Sequence, residues 1–267
     1  MGHITVVANQ KGGVGKTTTA QAMVCALAHK GFKVLVVDMD PQCNLSYTLG
    51  GDPVMPSIFE LMRGAVSLLK VVQHTKIGDL IQGSQLLSSS DMTFMGTRRE
   101  YILSEKLAPL LPLYDFIVID TPPTLGVLTI NALTAASDVV IPLGADVFSL
   151  QGLSQLNETI VKVRKHCNPD LTISGLLLTR HNERTVLGRD MNELISKSAD
   201  VIGTQPFETR IRENVTVREI QFNKGNLFDS PKKSNAAVDY MAFVEEYLAR
   251  IPNQSPKGHA GYAQKIV

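Results

Sequence analysis

Residues 9–18 read Asn-Gln-Lys-Gly-Gly-Val-Gly-Lys-Thr-Thr, and three side chains in that run, Lys11, Lys16 and Thr17, could do chemistry on a polyanion. Gly12, Gly13 and Gly15 allow successive backbone N–H groups, those of Val14 and Thr18 among them, to turn toward an anion without a Cβ in the way. A helix beginning where the loop ends adds the positive end of its dipole. The Lys16 ammonium then reaches β- and γ-phosphate oxygens, and the Thr17 hydroxyl suits Mg²⁺. The run departs from G-x-x-x-x-G-K-S/T at its first position, where Gln10 replaces glycine, and it carries a second lysine, Lys11. Lys11 emerges beside the phosphates but points away from its own site. On the loop alone it is either a solvated lysine or a group reaching the phosphates of a second subunit packed face to face.

Three carboxylates extend the site. Asp38 and Asp40 close the run Val34-Leu35-Val36-Val37-Asp38-Met39-Asp40, and the two-residue period of a strand places both on one side of its carboxyl edge. Asp120 ends Phe116-Ile117-Val118-Ile119-Asp120, after which Thr121-Pro122-Pro123 breaks the chain. Ligands of parallel α/β sheets gather outside these edges. Asp120 therefore reads as a Walker-B acid holding Mg²⁺ through water. Asp38 could bond Thr17 or a metal-bound water, and Asp40 could orient an attacking water or be a surface acid. The chemistry this set supports is binding and hydrolysis of ATP with Mg²⁺, by placed charge rather than by a covalent intermediate.

The elements that must position these groups are visible as alternating patterns. Runs 4–8, 34–38, 116–120, 138–143 and 173–179 are short and rich in Val and Ile, as strands buried on both faces are. Helical patterns occupy 17–30, 125–136, 151–166, 186–199 and 235–250. Strands alternating with helices predict an α/β fold: a doubly wound, mainly parallel sheet with helices on both faces, the P-loop NTPase arrangement. Residues 50–104 are less regular and predict an insertion with a helical piece at 57–72, a strand near Leu80 and a serine-rich turn at 84–90. The expected organisation is one ATPase domain over 1–251 and a flexible, turn-rich tail over 252–267.

Composition sets outer limits. The 267 residues are 44% hydrophobic and 19% charged, enough for a substantial core. Cys25, Cys43 and Cys167 are too widely spaced for a CxxC pair or a zinc cluster, and His181 reads as a loop residue. Met55, Met62, Met92 and Met95 read as packing or loop residues rather than a partner groove. The N-terminus leads straight into an apolar strand, which predicts a cytoplasmic protein. With a net charge of +1, polyanion binding needs a local patch. Residues 206–233 hold six cations (Arg210, Arg212, Arg218, Lys224, Lys232, Lys233) against four acids, a mixed surface that composition alone does not assign to DNA.

Taken together, the segments Lys11-Gly12-Gly13-Val14-Gly15-Lys16-Thr17, Asp38-Met39-Asp40-Pro41-Gln42-Cys43-Asn44 and Asp115–Pro123 resemble the ParA/MinD group of deviant Walker A ATPases, and especially its short Soj-like partition members. Thr129-Ile130-Asn131-Ala132-Leu133, Leu150-Gln151-Gly152-Leu153 and Asn214-Val215-Thr216-Val217-Arg218-Glu219 extend the likeness over roughly residues 3–250. The resemblance implies that Lys11 acts across an ATP-sandwich homodimer on the partner's phosphates and that Asp40 is needed for hydrolysis. It also implies that Arg180 and Ile211 lie at the nucleotide. The implied cycle is slow hydrolysis, nonspecific DNA binding by the ATP dimer, and release stimulated by a ParB-type centromere-binding protein. DNA contacts would then come from Arg212, Arg218, Lys232 and Lys233, on a protein that is cytoplasmic and associated with the nucleoid. Two positions depart from the family pattern: Cys43 stands for glycine, and Ile211-Arg212-Glu213-Asn214-Val215 stands for I-P-R-N-V. ParA-like positioners of other cargo share the cycle. A MinD-like membrane cycle needs a C-terminal amphipathic helix, which the breakers Pro256, Gly258 and Gly261 disfavour, so no stable membrane association is expected.

Overall fold

All five residues of β2 (Val34–Asp38) and all five of β5 (Phe116–Asp120) are buried, as strands covered by helices on both faces must be. The computed structural model describes residues 2–144, 148–181, 186–214, 222–228 and 234–251. The remaining strands are β1 (His3–Val7), β3 (Val72–His74), β4 (Asp79–Ile81), β6 (Asp138–Gly144) and β7 (Thr172–Thr179). They form one seven-stranded sheet in the order β3-β4-β2-β5-β1-β6-β7. Every pair is parallel except β3 with β4. Asp120 is in register with both Val7 and Asp38, so the ends of β1, β2 and β5 share one edge.

The helices divide between the faces. On one lie α1 (Lys16–His29), α2 (Asn44–Thr48) and α9 (Asn235–Arg250), packed through Met23, Leu27, Leu45, Tyr240 and Phe243. The other carries α3 (Ile58–Met62), α5 (Ile102–Leu107), α6 (Val127–Ala135), α7 (Phe148–His166) and α8 (Val186–Ile202). The short α4 (Ser90–Thr93) leads toward α6, whose first turn Asp91 caps by accepting from the Val127 N–H at 2.9 Å. Helix α1 ends at Gly31, whose φ of 86° is the left-handed value that closes a helix without a Cβ penalty.

The long predicted strands and helices form within a few residues of their expected limits. The helical piece at 57–72 does not. A capping box between Ser57 and Glu60 starts α3, but Gly64, at φ 73°, ends it after one and a half turns. Its N–H bonds the Leu61 carbonyl at 3.0 Å, and the chain then passes through a 3₁₀ turn, Leu68–Lys70, into β3. The serine-rich turn at 84–90 is a 3₁₀ helix, Gln85–Ser89, whose Ser88 and Ser89 hydroxyls bond carbonyls three residues back. The insertion thus adds β3 and β4 to the same sheet. His181, expected in a loop, is buried, with its backbone N–H on the Ile211 carbonyl at 2.9 Å. The predicted tail lies outside the described residues.

Candidate active site

The loop between β1 and α1 takes its shape from left-handed glycines, with φ of 75° at Gly13 and 86° at Gly15, the residue that caps α1. Neighbouring strands pin it. The Asn9 side-chain amide donates to the Pro142 carbonyl at 2.7 Å and its oxygen accepts from the Lys11 N–H at 2.9 Å. The Thr179 hydroxyl, at the end of β7, lies 2.8 Å from the Val14 carbonyl. The loop borders a cavity of about 500 Å³ lined by Gly12, Gly13, Gly15, Lys16, Thr17, Thr18, Asp40 and Arg180.

Lys16 is buried, and its ammonium donates to the Lys11 carbonyl at 2.9 Å. Burial lowers its pKa, opposed by the charges of Asp120 and Asp40. Lys11 is half-buried and contributes backbone, but it is not among the residues that line the cavity. The two lysines of one loop therefore face different surroundings.

Asp120 is fully buried, and neither of its oxygens makes a hydrogen bond of normal geometry. Burial, and then the charge of Asp38, push its pKa well above the usual carboxylate range; the Thr17 hydroxyl and the Lys16 ammonium oppose this. Among the described residues no group of three His, Cys, Asp or Glu side chains could hold a metal. An unsatisfied carboxylate beside a threonine hydroxyl and a phosphate loop does fit Mg²⁺, which keeps several waters and takes few protein ligands. Until such a cation binds, the Asp120 charge is a cost to the fold. We expect Asp120→Asn to stabilise the nucleotide-free protein at pH 7 by on the order of 1–2 kcal/mol, read by urea unfolding. An acid with a raised folded-state pKa gains stability as pH falls, so this advantage should shrink toward acid pH.

Asp38 is tied into the turn that follows its strand. Its Oδ1 accepts from the Asp40 N–H at 3.1 Å, and its Oδ2 accepts from the Ser46 N–H at 2.8 Å and the Ser46 hydroxyl at 2.7 Å. Burial raises its pKa to about 6 against these Ser46 hydrogen bonds. It holds the turn into α2. Asp40, by contrast, lines the cavity, and its Oδ1 accepts from the Gln42 N–H at 2.9 Å. Sequence reasoning missed Ser46, whose hydroxyl also accepts from the Gly83 N–H at 2.8 Å, and the lining residues Asn44, Tyr47 and Phe222.

The remaining predicted residues separate. Arg180 reaches the cavity, with Nη1 4.0 Å from the place a Cβ on Gly13 would take. The Ile211 side chain does not line it and packs instead in the core with Leu177, Phe207 and Tyr240. Arg212 donates to Asp239 of α9 from Nε and Nη2, at 2.9 and 2.6 Å, a pair with no net charge. Arg218, Lys232 and Lys233 lie outside the described residues.

A glycine loop joining β1 to α1, with acids at the ends of β5 and β2 beside it, defines a P-loop ATPase of the α/β class. Residues 2–173 match a family described as an AAA domain. The sporulation initiation inhibitor protein Soj of Bacillus subtilis (strain 168) is 36% identical over 93% of this chain and 99% of its own length. The chromosome partitioning protein ParA of Myxococcus xanthus (strain DK1622) is 36% identical over 96% of this chain and 92% of that protein. The crystal structure of cobyrinic acid a,c-diamide synthase from Mycobacterium smegmatis with bound ATP analog and magnesium is 33% identical with a TM-score of 0.78, covering 96% of this chain and 99% of that one. The chain belongs to the ParA/MinD family, among its Soj-like members.

Proposed function

We propose that this chain is a ParA-type partition ATPase that binds ATP with Mg²⁺, closes into a sandwich dimer over two nucleotides and binds DNA nonspecifically in that state. A ParB-type centromere-binding partner stimulates hydrolysis and so releases it. The observation that carries this reading is the division between the two loop lysines: Lys16 lines the cavity of its own loop, and Lys11 does not. A lysine at the rim of a phosphate site has its best use on the phosphates of a second copy.

In this reading Lys16 and the loop amides of Gly12 to Thr18 hold the polyphosphate. Thr17 and Asp120 hold the cation, and Asp38 sets the turn that presents Asp40. A bound Mg²⁺ neutralises charge building up on the transferred phosphoryl group. Asp40 orients the attacking water, while Lys11 from the partner completes the charge around the γ-phosphate. Arg180 lies beside the nucleotide, and Ile211 supports it from the core. The protein works in the cytoplasm at the nucleoid. No helix among the described residues is long and apolar enough to cross a membrane.

With Arg212 neutralised by Asp239, DNA binding rests on Arg218, Lys232 and Lys233. Filter retention on a random duplex should require Mg·ATP and weaken steeply with salt, because bound cations displace counterions from the phosphates. Glutamate at Lys232 and Lys233 should flatten the slope of log affinity against log salt by about two per subunit. An unchanged slope would reject those two contacts, and retention equal in ADP and ATP would reject the nucleotide-gated DNA cycle.

A further inference from the structure

Of the phenylalanines whose side chains are described, all but one are buried or half-buried; the exception is Phe222, which is 78% exposed. Its ring lines the same cavity as Thr18, Arg180 and Tyr47. Single exposed apolar side chains are ordinary on a protein surface; this one is set apart because it lines a cavity that also holds the phosphate loop. Its position is built by the residues that follow. The Lys224 ammonium sits 4.6 Å above the Tyr47 ring, the Gln21 amide donates to the Gly225 carbonyl at 3.3 Å, and Leu227 is buried in the core.

One strained residue lines this cavity and another sits over the Tyr47 ring that lines it. Arg180 has φ 54° and Lys224 has φ 51°, left-handed values that residues with a Cβ disfavour. Each is over-determined by its surroundings. Arg180 lies between Thr179, bonded to Val14 of the loop, and His181, bonded through its backbone to Ile211. Lys224 is held by Tyr47 and by the Gln21 contact one residue on. Strain held at a cavity wall is a mark of ligand positioning. Here it holds the flat Arg180 cation at a cavity that also carries the Phe222 ring and the phosphate loop.

The geometry points to Phe222 as a nucleobase-stacking residue: the base of the bound nucleotide covers the ring, with the Arg180 guanidinium as a second planar wall. The inference rests on the reading of this cavity as an ATP site and adds what holds the base. Stacking on an aromatic face needs no base-specific hydrogen bonds. Phe222 therefore sets affinity for nucleoside over bare polyphosphate, while the glycine loop sets affinity for the phosphates.

Isothermal titration with Mg·ATP and with Mg·tripolyphosphate separates the two contributions. Phe222→Ala should weaken ATP about tenfold and leave tripolyphosphate unchanged. Phe222→Trp should retain ATP affinity and, in a chain that has no other tryptophan, report ATP but not tripolyphosphate by a fluorescence change. Equal losses for both ligands, or no loss for ATP, would overturn the stacking role. So would a loss of dimerisation with ATP affinity intact, which would assign the ring to a contact between copies. Wild-type protein that binds neither ligand would instead reject the ATP site itself.

Discussion

Alanine at Asp40 should leave ATP binding intact and cut turnover by on the order of 10²–10³-fold. Its carboxylate lines the phosphate cavity, anchored on one side by the Gln42 N–H, so it can hold a water without being needed to hold the nucleotide. The α2 turn is secured by Asp38 and Ser46, which the substitution does not touch. ATP affinity by titration and phosphate release under single-turnover conditions check both halves of the expectation. Normal phosphate release would remove Asp40 from the mechanism; lost ATP affinity would make it a binding residue.

The loop's two lysines should fail in different ways. Lys16→Ala should weaken ATP binding by about a thousandfold, the scale seen when one partner of a buried, hydrogen-bonded charge pair is removed. Lys16 is buried against a backbone carbonyl and has given up hydration for a position that a phosphate can satisfy. Lys11→Ala should keep ATP affinity within a few-fold, because its side chain does not line its own cavity. What it should lose is the ATP-dependent dimer and the turnover that depends on it. Equal loss of ATP affinity in both variants would contradict that division of roles.

Much of this site could be read from residue order because its chemistry is local. Gly12, Gly13, Gly15, Lys16 and Thr17 are consecutive or nearly so, and the Val-Ile runs that end in Asp38 and Asp120 declare buried strands. The register joining Val7, Asp38 and Asp120 follows once those strands are parallel neighbours. What stayed hidden depends on contacts remote in sequence or on one glycine. Nothing in the run 34–40 shows that Ser46 will occupy Asp38, and Arg212 looks available for DNA until Asp239, on α9, is placed beside it. The apolar pattern at 57–72 continues past Met62, yet the left-handed Gly64 ends the helix. Phe222, far from the loop in sequence, becomes a site residue only when the fold brings it to the cavity.

The central claim is that a second copy completes the ATP site through Lys11. Sedimentation velocity on the Asp40→Ala protein, where ATP persists, tests it directly. That variant should sediment as a dimer with Mg·ATP and as a monomer with Mg·ADP. Adding Lys11→Ala should return it to a monomer while each chain still binds one ATP. A double variant that remains dimeric with Mg·ATP would contradict the account.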